Sequence, residues 1–132
     1  MSCVLLLLGA LHLYWLVGGR GLSTAVVPEV DSRPTFVPGP VATLAVAAAL
    51  ACAAAIVLTR AALWRPSPIP AALAYWGTWA LVAVFLGRAL GDFRLVGFTK
   101  RVRGTAFARW DTAVYSPLCA ALGLALLWIA TR

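Results

Sequence analysis

Four apolar runs, at about 3–18, 41–58, 71–90 and 111–131, make up most of this chain, and short proline-, glycine- or arginine-rich breaks separate them. No other feature limits its fold so strongly. A soluble domain keeps roughly a quarter of its residues charged. Here the charged share is 11% against 63% hydrophobic, and the mean hydropathy is +0.93. That leaves too few polar groups to cover a globular surface in water, so a bilayer is the expected solvent. The expected fold class is all-α: one membrane domain over 1–132, a four-transmembrane-helix bundle with an interfacial basic and aromatic third loop.

The runs differ in character. The first is short for a span, which needs about 20 apolar residues. A cleaved signal peptide is its rival reading, and Ser23-Thr24-Ala25 offers a small-x-small cleavage pattern. Against it, no basic residue precedes the apolar core, and His12, Tyr14 and Trp15 interrupt that core. Pro38 and Pro40 introduce the second run, and Pro66, Pro68 and Pro70 the third. Proline suits the first turn of a helix, where its missing N–H is not needed. Eight alanines between Ala45 and Ala55 predict a central packing helix, because small side chains let helices approach closely in lipid. Arg60 and Arg65 close it. The fourth run has two readings. A helix capped by Ser116 with Pro117 in its first turn is about 15 residues, roughly 22 Å. One starting at Asp111 reaches about 30 Å with a kink at Pro117, and this spanning form is favoured.

Four alternating spans place the 20–40 and 91–110 loops on one side of the membrane, and the termini and the 60–70 loop on the other. Tyr and Trp then form belts at both interfaces. The polar residues are less symmetric. His12, Glu29, Asp31, Arg88, Asp92, Asp111 and Tyr115 all gather on the first- and third-loop side. Arg20, Arg33, Arg94, Lys100, Arg101, Arg103 and Arg109 lie there too, which weakly favours a cytoplasmic face.

The charged residues from Arg88 to Asp111 sit among aromatic ones, and each has a structural and a functional reading. Arg88 and Asp92 are four residues apart and share a helical face. They read either as a helix-end ion pair or as a cation presented to an anionic ligand. An arginine at mid-bilayer costs about 3 kcal/mol, so it needs one or the other. Asp111 reads as a helix N-cap, or as an acid, base or counter-ion facing the cluster. His12 reads as a packing histidine or, being a lone intramembrane histidine, as a functional group. Lys100-Arg101-Val102-Arg103 with Arg109 reads as a segment resting on anionic lipid.

The formal charge of +7 would suggest nucleic acid in a soluble protein. In this apolar chain the expected partners are membrane lipids with anionic head groups, no nucleic acid, and a homo-oligomer is compatible with the pattern. Cys3, Cys52 and Cys119 form no C-x-x-C or metal-ligand spacing, and no intrachain disulfide is expected. No metal and no cofactor is expected. P-loop, dinucleotide, G-x-S-x-G and zincin motifs are not found.

The chain also carries His12-Leu13-Tyr14-Trp15 with Gly18-Gly19, then Arg88-Ala89-Leu90-Gly91-Asp92-Phe93-Arg94, Gly97-Phe98 and Lys100-Arg101. Phe107-Ala108-Arg109-Trp110-Asp111-Thr112 and Tyr115-Ser116-Pro117-Leu118-Cys119 follow. On these residues it resembles a family of small bacterial four-helix integral membrane proteins catalogued as a domain of unknown function. The resemblance covers nearly the whole chain. It implies a multi-pass protein of the bacterial cytoplasmic membrane and supplies no activity or catalytic residue.

The expected function is binding or transforming a small amphipathic or anionic ligand (a lipid, isoprenoid or quinone) at a polar site between the first and third loops. Arg88, Arg94, Lys100 and Arg101 would meet its anionic part, and Tyr14, Trp15, Trp110 and Tyr115 would wall the rest. His12, Asp92 and Asp111 are the candidate proton-handling groups. The alternatives are an accessory or scaffold protein with no site and, last, a small dimeric transporter. Convergence of His12, Arg88, Asp92 and Asp111 on one cavity separates the first reading from the others.

Overall fold

A computed structural model describes residues 1–18, 26–30 and 33–132. Arg20, the Ser23-Thr24-Ala25 pattern and Asp31 lie outside the described residues. The protein is all-α. Helix α1 spans Ser2–Leu16 and α2 spans Pro40–Arg60. Helix α3 spans Ala71–Leu90. Helix α4, Ala106–Ala130, runs in three pieces, with a wider π segment at Asp111–Tyr115 between two α-helical stretches. Two two-residue strands, β1 (Glu29–Val30) and β2 (Arg33–Pro34), pair antiparallel with Glu29 opposite Pro34.

Helices α2, α3 and α4, at 21, 20 and 25 residues, are long and apolar enough to cross a membrane. Only 22%, 28% and 28% of the residues in their apolar stretches are buried. Many of their other apolar side chains are exposed, Leu73, Trp76, Leu124 and Trp128 among them. A helix apolar all round with most of its surface uncovered suits lipid rather than water. Helix α1 is apolar but has 15 residues, about 22 Å of rise, which is short of a bilayer core.

The chain forms two compact units, one of Met1–Gly19, Pro38–Val82 and Leu124–Arg132, the other of Arg20–Val37 and Ala83–Gly123. In the first, α1 packs on α2 through small residues. A Cβ on Gly9 would stand 3.4 Å from the Ala47 carbonyl oxygen, and where α3 meets α2 one on Gly77 would stand 3.1 Å from Ile56. Leu5, Ala53, Ala54, Val57 and Leu126 are buried there. The alanine-rich second run is thus a packing helix, as its composition predicts. In the second unit, Gly123 of α4 meets Leu86 of α3, and Phe107, Ala108 and Leu122 are buried.

The fourth helix differs from both sequence readings. It starts neither at Asp111 nor at Ser116 but at Ala106, where Thr105 is the N-cap and its Oγ1 accepts from Ala108 N–H at 3.0 Å. The cap signal is a threonine, a preferred N-cap residue. The π segment ends with Ser116 N–H donating to the Asp111 carbonyl. Pro117 follows directly, and its ring would press on the Ala113 carbonyl in a regular α-helix. A wider turn with i→i+5 bonding accommodates it without breaking the helix.

Candidate functional site

The third loop is built before any of its side chains matter. Gly91 ends α3: its N–H donates to Gly87 O at 2.8 Å, and its φ of +94° turns the chain out of the helix. Gly97, at φ +85°, lies against Leu90 and Gly91 so closely that neither glycine could carry a side chain. The chain then returns along the end of α3. Phe98 N–H donates to Ala89 O at 2.9 Å, and Thr99 satisfies Leu90 O through both its N–H (3.2 Å) and its Oγ1 (2.6 Å). These are carbonyls that a helix C-terminus leaves open.

Asp92 closes the loop from inside. Its Oδ1 accepts the backbone N–H groups of Arg94 (2.9 Å), Leu95 (2.7 Å) and Val96 (3.0 Å). Those N–H groups, Val96's first, hold the carboxyl below its ordinary value, against a smaller opposing effect of desolvation. The expected Arg88–Asp92 ion pair is therefore absent. Gly91 takes Asp92 off the helical face that four-residue spacing would have given it.

Arg88 pairs with Asp111 instead, Nη2 to Oδ1 at 2.7 Å. Asp111 is fully buried and sits inside α4 rather than at its start, so the N-cap reading gives way to that of a counter-ion. Its Oδ2 accepts from Lys100 Nζ (2.9 Å), Gly97 N–H (2.9 Å) and Ser116 Oγ (3.1 Å). Lys100, 3% exposed, uses its other hydrogens on Gly97 O (3.0 Å) and Thr112 Oγ1 (2.7 Å). Thr112 in turn donates to Ala108 O at 3.0 Å. A buried carboxylate is tolerated when paired and hydrogen-bonded in this way. Two cations share one anion, so the network keeps an excess positive charge. Arg88 Nη1 is buried with no hydrogen-bond partner among the described residues.

Beside the network lies a pocket of about 430 Å³, lined by Phe98, Lys100, Arg103, Arg109 and Thr112 together with small residues of α4. Three cations and no carboxylate face it. Arg109 donates to Gly104 O at 3.1 Å and Arg103 Nε to Lys100 O at 3.5 Å, and both side chains are otherwise exposed.

The structure gathers Arg88, Lys100 and Asp111 but not every candidate. Arg94 and Arg101 are exposed, and neither lines this pocket; the Arg94 carbonyl accepts from Arg101 and Val102. Trp110 is exposed, and Tyr115 packs on Phe107 at 6.1 Å between centroids. His12 belongs to the other unit: its Nδ1 donates to Leu8 O at 2.8 Å and its ring meets Trp15 edge-on at 5.1 Å. Tyr14 is exposed, and Glu29 lies in the β1–β2 ladder. Gly97, Thr112 and Ser116 join the network although nothing in their own residue types marks them as site residues. Ser116 lies five residues from Asp111, about 140° away around a regular helix; the π turn brings it to the same face, and Pro117 is the sequence signal for that turn.

These features define a helical protein that has, among the described residues, three helices long and apolar enough to cross a membrane and an Arg–Asp–Lys network tying its third loop to α3 and α4. Residues 5–126 match the family described as "Protein of unknown function (DUF3995)", and the chain belongs to it. No curated protein and no solved structure matches the chain.

Proposed function

We propose that this is a multi-pass protein of a bacterial cytoplasmic membrane, its four helices forming one bundle, that binds the anionic group of an amphiphile such as a lipid, isoprenoid or quinone in the third-loop pocket. The pocket carries this reading: Lys100, Arg103 and Arg109 face it with no carboxylate among its lining residues. Lys100 contributes its field, since its three hydrogens are already used. Arg103 and Arg109 make the direct contacts, and Phe98 meets the apolar part. Binding is better supported than catalysis, because Asp111 has donors on both oxygens and Asp92 is engaged by the loop backbone.

Those same satisfied bonds favour a second reading, an accessory protein whose network only holds the loop on the helix ends. Lipid analysis of the purified full chain separates the two. Under the binding reading, one class of anionic amphiphile copurifies with the native protein and is lost from Arg103→Gln/Arg109→Gln, which leaves Asp111 and its partners intact. An unchanged lipid complement in that folded variant supports the accessory reading instead.

A further inference from the structure

A second basic pocket, outside the third loop, lies in the unit that contains α1 and α2. It has a volume of about 600 Å³ and is lined by Arg60, Trp64, Arg65, Ser67 and Tyr75. Arg60 is the last residue of α2 and is fixed on two sides. Its Nη2 donates to Ala130 O at 3.2 Å, and its guanidinium carbon stands 5.8 Å from the Tyr75 ring centroid. Its Nε is buried and has no hydrogen-bond partner among the described residues.

The rim is fixed without help from either arginine. Thr59 Oγ1 donates to Ala55 O at 2.9 Å, so its 2.7 Å contact with Ser67 Oγ uses the serine hydrogen. Ser67 Oγ then accepts from Ile69 N–H at 3.1 Å. Arg65 is exposed at the same pocket. The sequence of this unit contains Arg60, Arg65 and Arg132 and not one Asp or Glu. A half-buried guanidinium on a preformed rim thus has no acidic side chain in its own unit to balance it, and a charge in apolar surroundings needs a partner.

We propose that this pocket is a phosphate site, filled by the phosphodiester of an anionic lipid head group. Arginine forks match phosphate oxygens in pairs, and two arginines converge here. Trp64 and Tyr75 are residue types that settle at head-group depth. The neighbours of the lining residues in sequence, Leu63, Leu73 and Trp76, are 76%, 57% and 69% exposed. They offer acyl chains a surface that a free phosphate would not use. Arg60 is the fixed half of the clamp and Arg65 the half that closes over the head group.

The test is a titration of the full chain in neutral detergent, read by native mass spectrometry, with phosphatidylglycerol, phosphatidylcholine and inorganic phosphate as probes. Phosphatidylglycerol should bind the native protein more tightly than phosphatidylcholine. Arg65→Gln should weaken it about tenfold, the scale of one charge-assisted hydrogen bond. Arg60→Lys, which keeps the charge and loses the fork, should weaken it too. Repeating the titration in Arg103→Gln/Arg109→Gln removes the share of lipid held at the third-loop pocket, and Arg65→Gln added to that background should still weaken the remaining phosphatidylglycerol binding about tenfold, so the second pocket can fail or stand apart from the third-loop pocket. Equal phosphatidylglycerol affinity in the native protein, Arg65→Gln and Arg60→Lys overturns the site. Full displacement of the lipid by millimolar inorganic phosphate overturns the lipid as its source.

Discussion

Gly97 and Asp111 meet across the third loop, the glycine N–H donating to the aspartate Oδ2 at 2.9 Å. That bond ties the turn after α3 to the interior of α4. Lys100 reinforces it by bridging the carbonyl of the same glycine and the same carboxylate oxygen. The carboxylate therefore organises backbone as much as charge, and loop and helix should lose order together when it is altered.

Asp111→Asn keeps the side-chain volume and removes the charge, leaving Lys100 buried and Arg88 part-buried without a counter-ion. Breaking a buried pair from one side costs about 3–5 kcal/mol. Thermal unfolding in detergent, followed by circular dichroism, should show a loss of that order. Lys100→Met should also destabilise, and the double variant Lys100→Met/Asp111→Asn should fall short of the sum by about 0.5–3 kcal/mol. Additive losses would mean that the two residues do not share one network.

Gly97→Ala and Gly104→Ala separate strain from contact. Both glycines have positive φ, +85° and +97°, where an L side chain costs roughly 1–2 kcal/mol. A Cβ at Gly104 meets nothing within 4 Å, whereas one at Gly97 runs into the backbone of Leu90 and Gly91. Gly104→Ala should therefore lower stability by about that strain alone and keep the loop closed. Gly97→Ala should cost more and expose the Gly97 and Phe98 amides to hydrogen exchange. Equal effects would refute the closed-loop geometry.

The helices were legible in the sequence because lipid-compatible runs and first-turn prolines are local signals. The second and third runs match α2 and α3 to within two residues. The start of α4 escapes the hydropathy pattern because Thr105 lies in a polar loop and the apolar run begins later. Arg88 and Asp111 were both identified, but their pairing was not. Spacing along a helix favoured Asp92 as the partner of Arg88, and one positive-φ glycine removes it. Contacts set by a reversal of the chain, such as Lys100 on Asp111, carry no periodic signal.

Asp92 predicts an acid-sensitive loop. Its carboxyl is held below the ordinary value by the N–H groups of Val96, Arg94 and Leu95. A lowered folded-state value stabilises the loop fully above the unfolded-state value of about 3.9. That stabilisation is lost as pH falls through the lower folded value. Exchange of the Leu95 and Val96 amides, corrected for intrinsic rates, should be steady from neutrality to about pH 4 and accelerate below it. Asp92→Ala should show fast exchange at every pH. A native loop whose protection does not change down to pH 2 would contradict the role given to the carboxylate.

Gly123 and Gly87 allow the helix contact in the second unit to be tested with two single methyl groups. A Cβ on Gly123 would stand 2.5 Å from Leu86 Cδ2 and 3.1 Å from its backbone nitrogen. The leucine side chain can rotate away, but the backbone cannot, so α3 and α4 must separate. Overpacking of this kind costs about 1–3 kcal/mol. Gly87 lies on α3 with nothing within 4 Å of its Cβ position, and alanine in a helix interior is about 0.5–1 kcal/mol better than glycine. Gly123→Ala should thus lower the unfolding temperature in detergent while Gly87→Ala raises it slightly. Two variants moving the same way would show that α3 and α4 do not approach at Leu86 and Gly123.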